Sequence, residues 1–179
     1  MRTLEEVLAH GIRDIPDYPQ PGVLFKDITP LLADHSGFAQ VVDALAAAGR
    51  NVAGDPIVDK VVGIEARGFI LAAPVALALG AGFVPVRKKG KLPAPTYQES
   101  YALEYGEATI EVHQDAFVPG ERVLVVDDVL ATGGTVEACL RLIRRCQAEV
   151  HGTAVLLELS FLPGRKRLSG EQLTALLTV

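Results

Sequence analysis

The segment VLVVDDVLATGGT, positions 123–135, places an apolar run, two adjacent acids and a Thr-Gly-Gly-Thr loop ahead of a helical pattern. Gly133 and Gly134 allow successive backbone N–H groups to point into one concavity. The helix start adds a partial positive charge, and Thr132 and Thr135 add hydroxyl donors. That chemistry suits a phosphate monoester. No lysine follows the glycines, and Gly-x-Gly-x-x-Gly is absent, so neither a Walker A loop nor a dinucleotide fingerprint is present. The acids Asp127 and Asp128 would oppose an anion unless they accept hydrogen bonds from hydroxyls of the same ligand, as the vicinal hydroxyls of a ribose would offer. Neighbouring side chains on a strand leave on opposite faces, so both acids reach one sugar only if the chain already turns there. Otherwise one acid is merely solvated, and the loop alone also fits an ordinary strand-to-helix turn.

A second group is basic. Arg87, Lys88, Lys89 and Lys91 surround Gly90 and precede Pro93 and Pro95. Such a run fits a solvated face, or a flap over a polyanion such as pyrophosphate. Arg67 beside Gly68 could bind the same anion with guanidinium and backbone together, or pair structurally with Glu65 at a helix start. Glu104 and Tyr105 stand at the far side of the flap, where they also read as plain hairpin residues.

The elements that must position these groups form an α/β pattern. The runs at 61–64, 83–86, 123–126 and 153–159 scarcely alternate, as in strands buried on both faces. Helical patterns at 68–79 and 135–146 lie between them, predicting a parallel sheet. Ligands of such sheets bind beyond the strands' carboxyl ends, where Glu65–Gly68, the basic run and Asp127–Thr135 would converge. The stretch 101–113, interrupted at Gly106, reads as a hairpin after a loop. Upstream, Thr3 and Glu6 form a capping-box pattern, the prolines at 16, 19 and 21 end that helix, and a second helix runs from Ser36 as N-cap to Gly49. No repeat or linker divides the chain, so a single domain over 1–179 is expected.

The composition narrows the classes. With 179 residues, 49% of them hydrophobic, the chain can build a substantial core. A net charge of −5 argues against a surface that grips nucleic acid or an anionic membrane as a whole. The uncharged run 68–86 approaches the ~20 residues of a membrane span, but its prolines and glycines split it into helix, turn and strand. Cys139 and Cys146, roughly 10 Å apart on one helix, exceed the ~7 Å reach of a disulfide. The four histidines lack zinc-ligand spacing. No basic-apolar leader opens the sequence, so a cytoplasmic protein is expected.

With these residues in view, 123–135 resembles the 5-phosphoribosyl 1-pyrophosphate (PRPP) motif of the type I phosphoribosyltransferases. YPQPGVLFKDITP (18–30), EARGF (65–69), RKKGKLP (87–93) and LEYG (103–106) resemble the adenine-specific branch. The resemblance implies a single-domain α/β fold with a central, mostly parallel sheet flanked by helices and a flexible hairpin flap at about 88–113. It implies conversion of adenine and PRPP to AMP and pyrophosphate, with Mg²⁺ carried on PRPP and not by a metal site of the protein. Asp127 and Asp128 would hold the ribose. Ala131, Thr132, Gly133, Gly134 and Thr135 would take the 5′-phosphate. Arg67, Arg87, Lys88 and Lys91 would face pyrophosphate, some of them across a homodimer. Leu24, Phe25 and Lys26 match the adenine pocket, with Lys26 standing where arginine is common. Glu104 would be the acid/base and Tyr105 would help close the flap. Other bases, or a PRPP-sensing regulator, are the alternatives. The PGVLFKDITP segment speaks against other bases, and the acidic charge without a helix-turn-helix element speaks against a regulator.

Overall fold

Thr3 opens the first helix, α1 (Leu4–Gly11), as its capping box demands. Its hydroxyl accepts from the Glu6 amide at 3.2 Å, and the Glu6 carboxylate accepts from the Thr3 amide at 2.8 Å. This is a computed structural model, and it describes residues 2–102 and 106–179. The chain forms two compact units, residues 1–43 and 44–179.

In the first unit the prolines do more than end α1. They turn the chain between two short antiparallel strands, β1 (Arg13–Pro16) and β2 (Leu24–Asp27), which pair from Arg13 with Asp27 to Pro16 with Leu24. The Asp17 carboxylate closes that turn on the Gly22 amide at 2.8 Å. Helix α2 (Thr29–Ala33) follows, then α3 (His35–Ala46), which runs past the unit's boundary. The expected cap at Ser36 is displaced to Asp34, whose carboxylate accepts the amides of Gly37 and Ser36. The helix stops at Ala46, and a 3₁₀ turn (Ala47–Gly49) carries the chain to the expected end.

The second unit contains β3 (Lys60–Ile64), α4 (Arg67–Leu79), β4 (Gly82–Lys88), β5 (Thr96–Ala102), β6 (Glu107–His113), β7 (Arg122–Leu130), α5 (Gly134–Arg145), β8 (Glu149–Glu158), α6 (Gly164–Arg167) and β9 (Leu173–Thr178). They build one seven-stranded sheet in the order β5-β6-β4-β3-β7-β8-β9. The run from β4 to β9 is parallel, and the β5–β6 hairpin joins β4 antiparallel. Val61, Val62 and residues 123–126 are wholly inaccessible, which explains their unbroken apolar runs. Helix α5 buries Val136, Leu140 and Ile143, the face that its spacing assigns to the core. Both cysteines are free and buried. The uncharged run 68–86 divides as expected into α4, a left-handed Gly80 (φ 63°) and β4; no helix among the described residues is long and apolar enough to cross a membrane.

Three features depart from the expectation. Strand β7 continues through Asp127 and Asp128 to Leu130. The hairpin follows a loop as expected, but its first strand begins at Thr96 and not at Tyr101. An additional strand, β9, completes the far edge.

Candidate active site

The acidic pair lies within a strand, not in a turn. Backbone pairing with β8 persists through Asp127 with Val155 and Leu130 with Glu158, so the two carboxyls leave the strand on opposite faces. Helix α4 nevertheless meets both with its first two residues. Arg67 Nε lies 2.7 Å from Asp128 Oδ2, and a Cβ on Gly68 would come within 2.7 Å of Asp127 Oδ1. Gly68 is therefore needed for close approach. Asp127 Oδ1 also accepts the Asp128 amide at 2.9 Å. Burial, and then the neighbouring Asp128 charge, pushes the Asp127 carboxyl well above its ordinary range. Burial pushes Asp128 the same way, opposed by the Arg67 guanidinium. Two acids this close, with the Arg67 guanidinium acting chiefly on Asp128, form a site that gains from a ligand able to donate hydrogen bonds.

Immediately beyond β7, the loop into α5 encloses a cavity of about 80 Å³ lined by Asp127, Ala131, Thr132, Gly133 and Thr135 among others. Gly133 adopts φ 79° and caps α5, so the helix's first amides open onto the cavity. This is room for a small anion. The sequence reading gives both glycines to that anion, and the structure adds a second demand from α6, which the sequence reading missed. A Cβ on Gly133 would lie 3.0 Å from the Gly164 carbonyl oxygen, and one on Gly134 would lie 2.8 Å from Arg167 Nη1. The signal for α6 was weak: one glycine ahead of a short basic run.

The basic run is arranged around Glu65 at the end of β3. This buried carboxylate accepts the Lys88 amide at 2.9 Å and pairs with Arg87 Nε at 3.3 Å and Lys91 Nζ at 2.9 Å. Burial by itself would raise its pKa, but the Lys91 ammonium, the Lys88 amide and the Arg87 charge outweigh it and hold the carboxyl at about 2. The alternative pairing of Glu65 with Arg67 is not the one formed, because Arg67 goes to Asp128. Lys88 and Lys89 are exposed.

In the first unit, Phe25 and Tyr18 meet edge to face with centroids 5.1 Å apart, and with Ile15 and Asp27 they line a cavity of about 230 Å³. Leu24 is half exposed. Lys26 Nζ lies 2.6 Å from Asp14 Oδ1, its cross-strand neighbour, which gives this lysine a structural partner. Asp27 is held at about 2 by the Thr29 amide and the Arg13 guanidinium. Tyr18 was not singled out as a pocket residue, although an aromatic beside prolines signals it. Glu104 and Tyr105 lie outside the described residues. No group of three or more histidines, cysteines or acids among the described residues could hold a metal ion.

Comparison with known proteins adds to this geometry. Residues 31–169 match the family described as the phosphoribosyl transferase domain. The adenine phosphoribosyltransferase of a Nocardioides species is 67% identical over 176 residues, covering 98% of this chain and 95% of its own. The crystal structure of the Rhodothermus marinus adenine phosphoribosyltransferase superposes with a TM-score of 0.90 at 51% identity, covering 98% of both chains. The Saccharomyces cerevisiae enzyme, complexed with an imino-altritol bisphosphate and adenine, gives 0.92 at 35% identity, covering 97% of this chain and 98% of that one.

Proposed function

The chain belongs to the adenine phosphoribosyltransferases, within the phosphoribosyl transferase domain family, and from that premise we propose how its residues carry the purine-salvage reaction of adenine with PRPP to give AMP and pyrophosphate. One observation carries the reading: a small anion cradle with open helix amides directly follows two adjacent acids, Asp127 half-buried and Asp128 buried, and those acids meet the Arg67–Gly68 start of α4. A 5-phosphorylated ribose requires this juxtaposition of anion site and hydroxyl acceptors.

In this reading the loop from Ala131 to Thr135 binds the 5′-phosphate, and Asp127 and Asp128 accept from the ribose hydroxyls. Arg67, Arg87, Lys88 and Lys91 face pyrophosphate. Phe25 stacks on adenine, with Leu24 and the backbone at Lys26 completing the pocket. Breaking the C1–O bond builds negative charge on the departing pyrophosphate, so fixed cations and alignment supply most of the catalysis. Glu104 takes the purine N9 proton as that nitrogen attacks, and Tyr105 helps close the flap of residues 88–113 against water.

The donor set fits magnesium carried on PRPP. With Asp127 and Asp128 given to the ribose hydroxyls, the ion's ligands would be phosphate oxygens of PRPP and water. When bound, it would neutralise charge on the pyrophosphate. The reading extends to residues 1–179 acting as one catalytic domain in the cytoplasm, where thiols such as Cys139 and Cys146 stay reduced. It also extends to a homodimer. Ile70 and Leu77, seven apart on α4, expose one apolar face that a second copy would cover.

The test is formation of the corresponding nucleoside monophosphate and pyrophosphate from PRPP with adenine, hypoxanthine, guanine and xanthine as separate acceptors. Turnover confined to adenine is expected; preference for another base would overturn the pocket assignment.

A further inference from the structure

Glu111 is a buried acid that the mechanism above does not use. It sits on β6, 2% exposed, directly across from Arg87 on β4 and Gln98 on β5. Among the described residues it forms no salt bridge, although Arg87 is its cross-strand neighbour. Its Oε1 instead accepts two successive amides of the basic loop, Lys91 at 2.9 Å and Leu92 at 3.0 Å. Its Oε2 accepts from Gln98 Nε2 at 3.2 Å and the Thr96 hydroxyl at 3.4 Å. A carboxylate so buried persists only because these donors replace water.

The consequence falls on Lys91, which is fixed at three points. Its amide donates to Glu111, its carbonyl oxygen accepts from Arg87 Nη1 at 3.2 Å, and its ammonium pairs with Glu65. Among the described residues Glu111 is the carboxylate that holds the loop backbone without pairing with either cation, which Glu65 takes instead. A cation-neutralising partner at this position would compete with an anionic ligand, whereas an amide-binding carboxylate shapes the loop without such competition.

We propose that Glu111 is a positioning residue for the pyrophosphate end of PRPP, fixing the loop backbone so that Arg87 and Lys91 present their charges at one place. This rests on the assignment of those two cations to pyrophosphate. Misplacement of such groups by about 1 Å costs up to roughly 100-fold.

The experiment compares Glu111→Ala, Glu111→Gln, Arg87→Ala/Lys91→Ala, and the combined variants, reading KM for PRPP, pyrophosphate and adenine together with Tm. Glu111→Ala should raise the PRPP and pyrophosphate KM roughly 10- to 100-fold with adenine KM unchanged. Glu111→Gln, which keeps one oxygen for the two amides, should recover most of that loss. In the Arg87→Ala/Lys91→Ala background, neither Glu111 change should add a further effect. If Glu111→Ala does not fold, the same cycle is read with Glu111→Asp, whose shorter side chain draws the carboxylate away from the two amides. Equal damage to all substrates, or full additivity, overturns the proposal. If Arg87→Ala/Lys91→Ala itself leaves PRPP KM unchanged, the pyrophosphate reading falls first, which separates the two failures.

Discussion

Arg67 Nε lies 2.7 Å from Asp128 Oδ2, so a cation assigned to pyrophosphate and an acid assigned to the ribose hold each other at the start of α4. The contact ties the two ends of the substrate site to one helix terminus. It also leaves Asp127, on which the Arg67 charge acts less than on Asp128, as the costlier of the two to keep ionised.

Asp127→Asn should therefore stabilise the fold while impairing the enzyme. Its carboxyl is pushed above the ordinary 3.8 by burial and by Asp128. The folded chain thus binds more protons than the unfolded one, and stability falls as pH rises through that window. Asparagine keeps an oxygen for the Asp128 amide and removes the charge. Tm should rise, by on the order of 1 kcal/mol in stability, with the largest gain above the raised pKa. PRPP affinity should drop about 10- to 100-fold, the worth of a hydrogen bond to a charged group at ~1.5 to 3 kcal/mol. Calorimetry and thermal melts check both, and an unchanged affinity would remove Asp127 from the ribose site.

Gly133 and Gly134 should respond differently to added side chains. Gly133 combines φ 79° with the Gly164 backbone 3.0 Å from its missing Cβ, so Gly133→Ala should lose stability by ~1 to 3 kcal/mol as well as PRPP binding. Gly134 meets chiefly the far end of the Arg167 side chain, which can move. Gly134→Ala should keep Tm within a few degrees while weakening PRPP. Equal Tm losses at both positions would show that the loop's rigidity, and not the Gly133 conformation, sets the cost.

Acid should release the Glu65 cluster. The Glu65 pKa is held at about 2 against an ordinary 4.5, so its contribution is full above 4.5 and is lost as pH falls toward 2. Because Arg87 and Lys91 are partly exposed, solvent screening limits this to on the order of 1 kcal/mol. Melts of the wild type and Glu65→Gln should differ at pH 7 and converge as pH falls from 4.5 toward 2; parallel curves would contradict the ion-pair account.

Glu104 is tested by substitution. Glu104→Gln removes the base but keeps size and hydrogen bonding, so kcat should fall by ~10² to 10⁴ while PRPP binding persists. If Glu104 only positions the flap, Gln would be tolerated and Leu would not, because an amide can still hold the flap. Near-wild-type turnover of the Gln variant would leave leaving-group stabilisation carrying the reaction.

The sequence alone determined the sheet's interior, the helices α4 and α5, the Thr3 cap and the cradle, because each is written locally. Short apolar runs without alternation, bounded by turn residues, read as strands buried on both faces, and a Gly-Gly pair between such a run and a helical pattern marks the turn that joins them. It also determined which cations and acids gather, since topology sends the ends of parallel strands to one edge. Tertiary structure alone decided how those charges pair. Glu65 takes Arg87 and Lys91 from β4 and the loop after it; Arg67 crosses to Asp128 on β7; Glu111 takes two backbone amides. Partners 19 to 61 positions apart in sequence leave no periodicity to read. The same holds for the extension of β7 through its acids, which exists because β8 supplies a ladder out to Glu158, and for β9 and α6, whose short segments acquire structure only against β8 and the cradle.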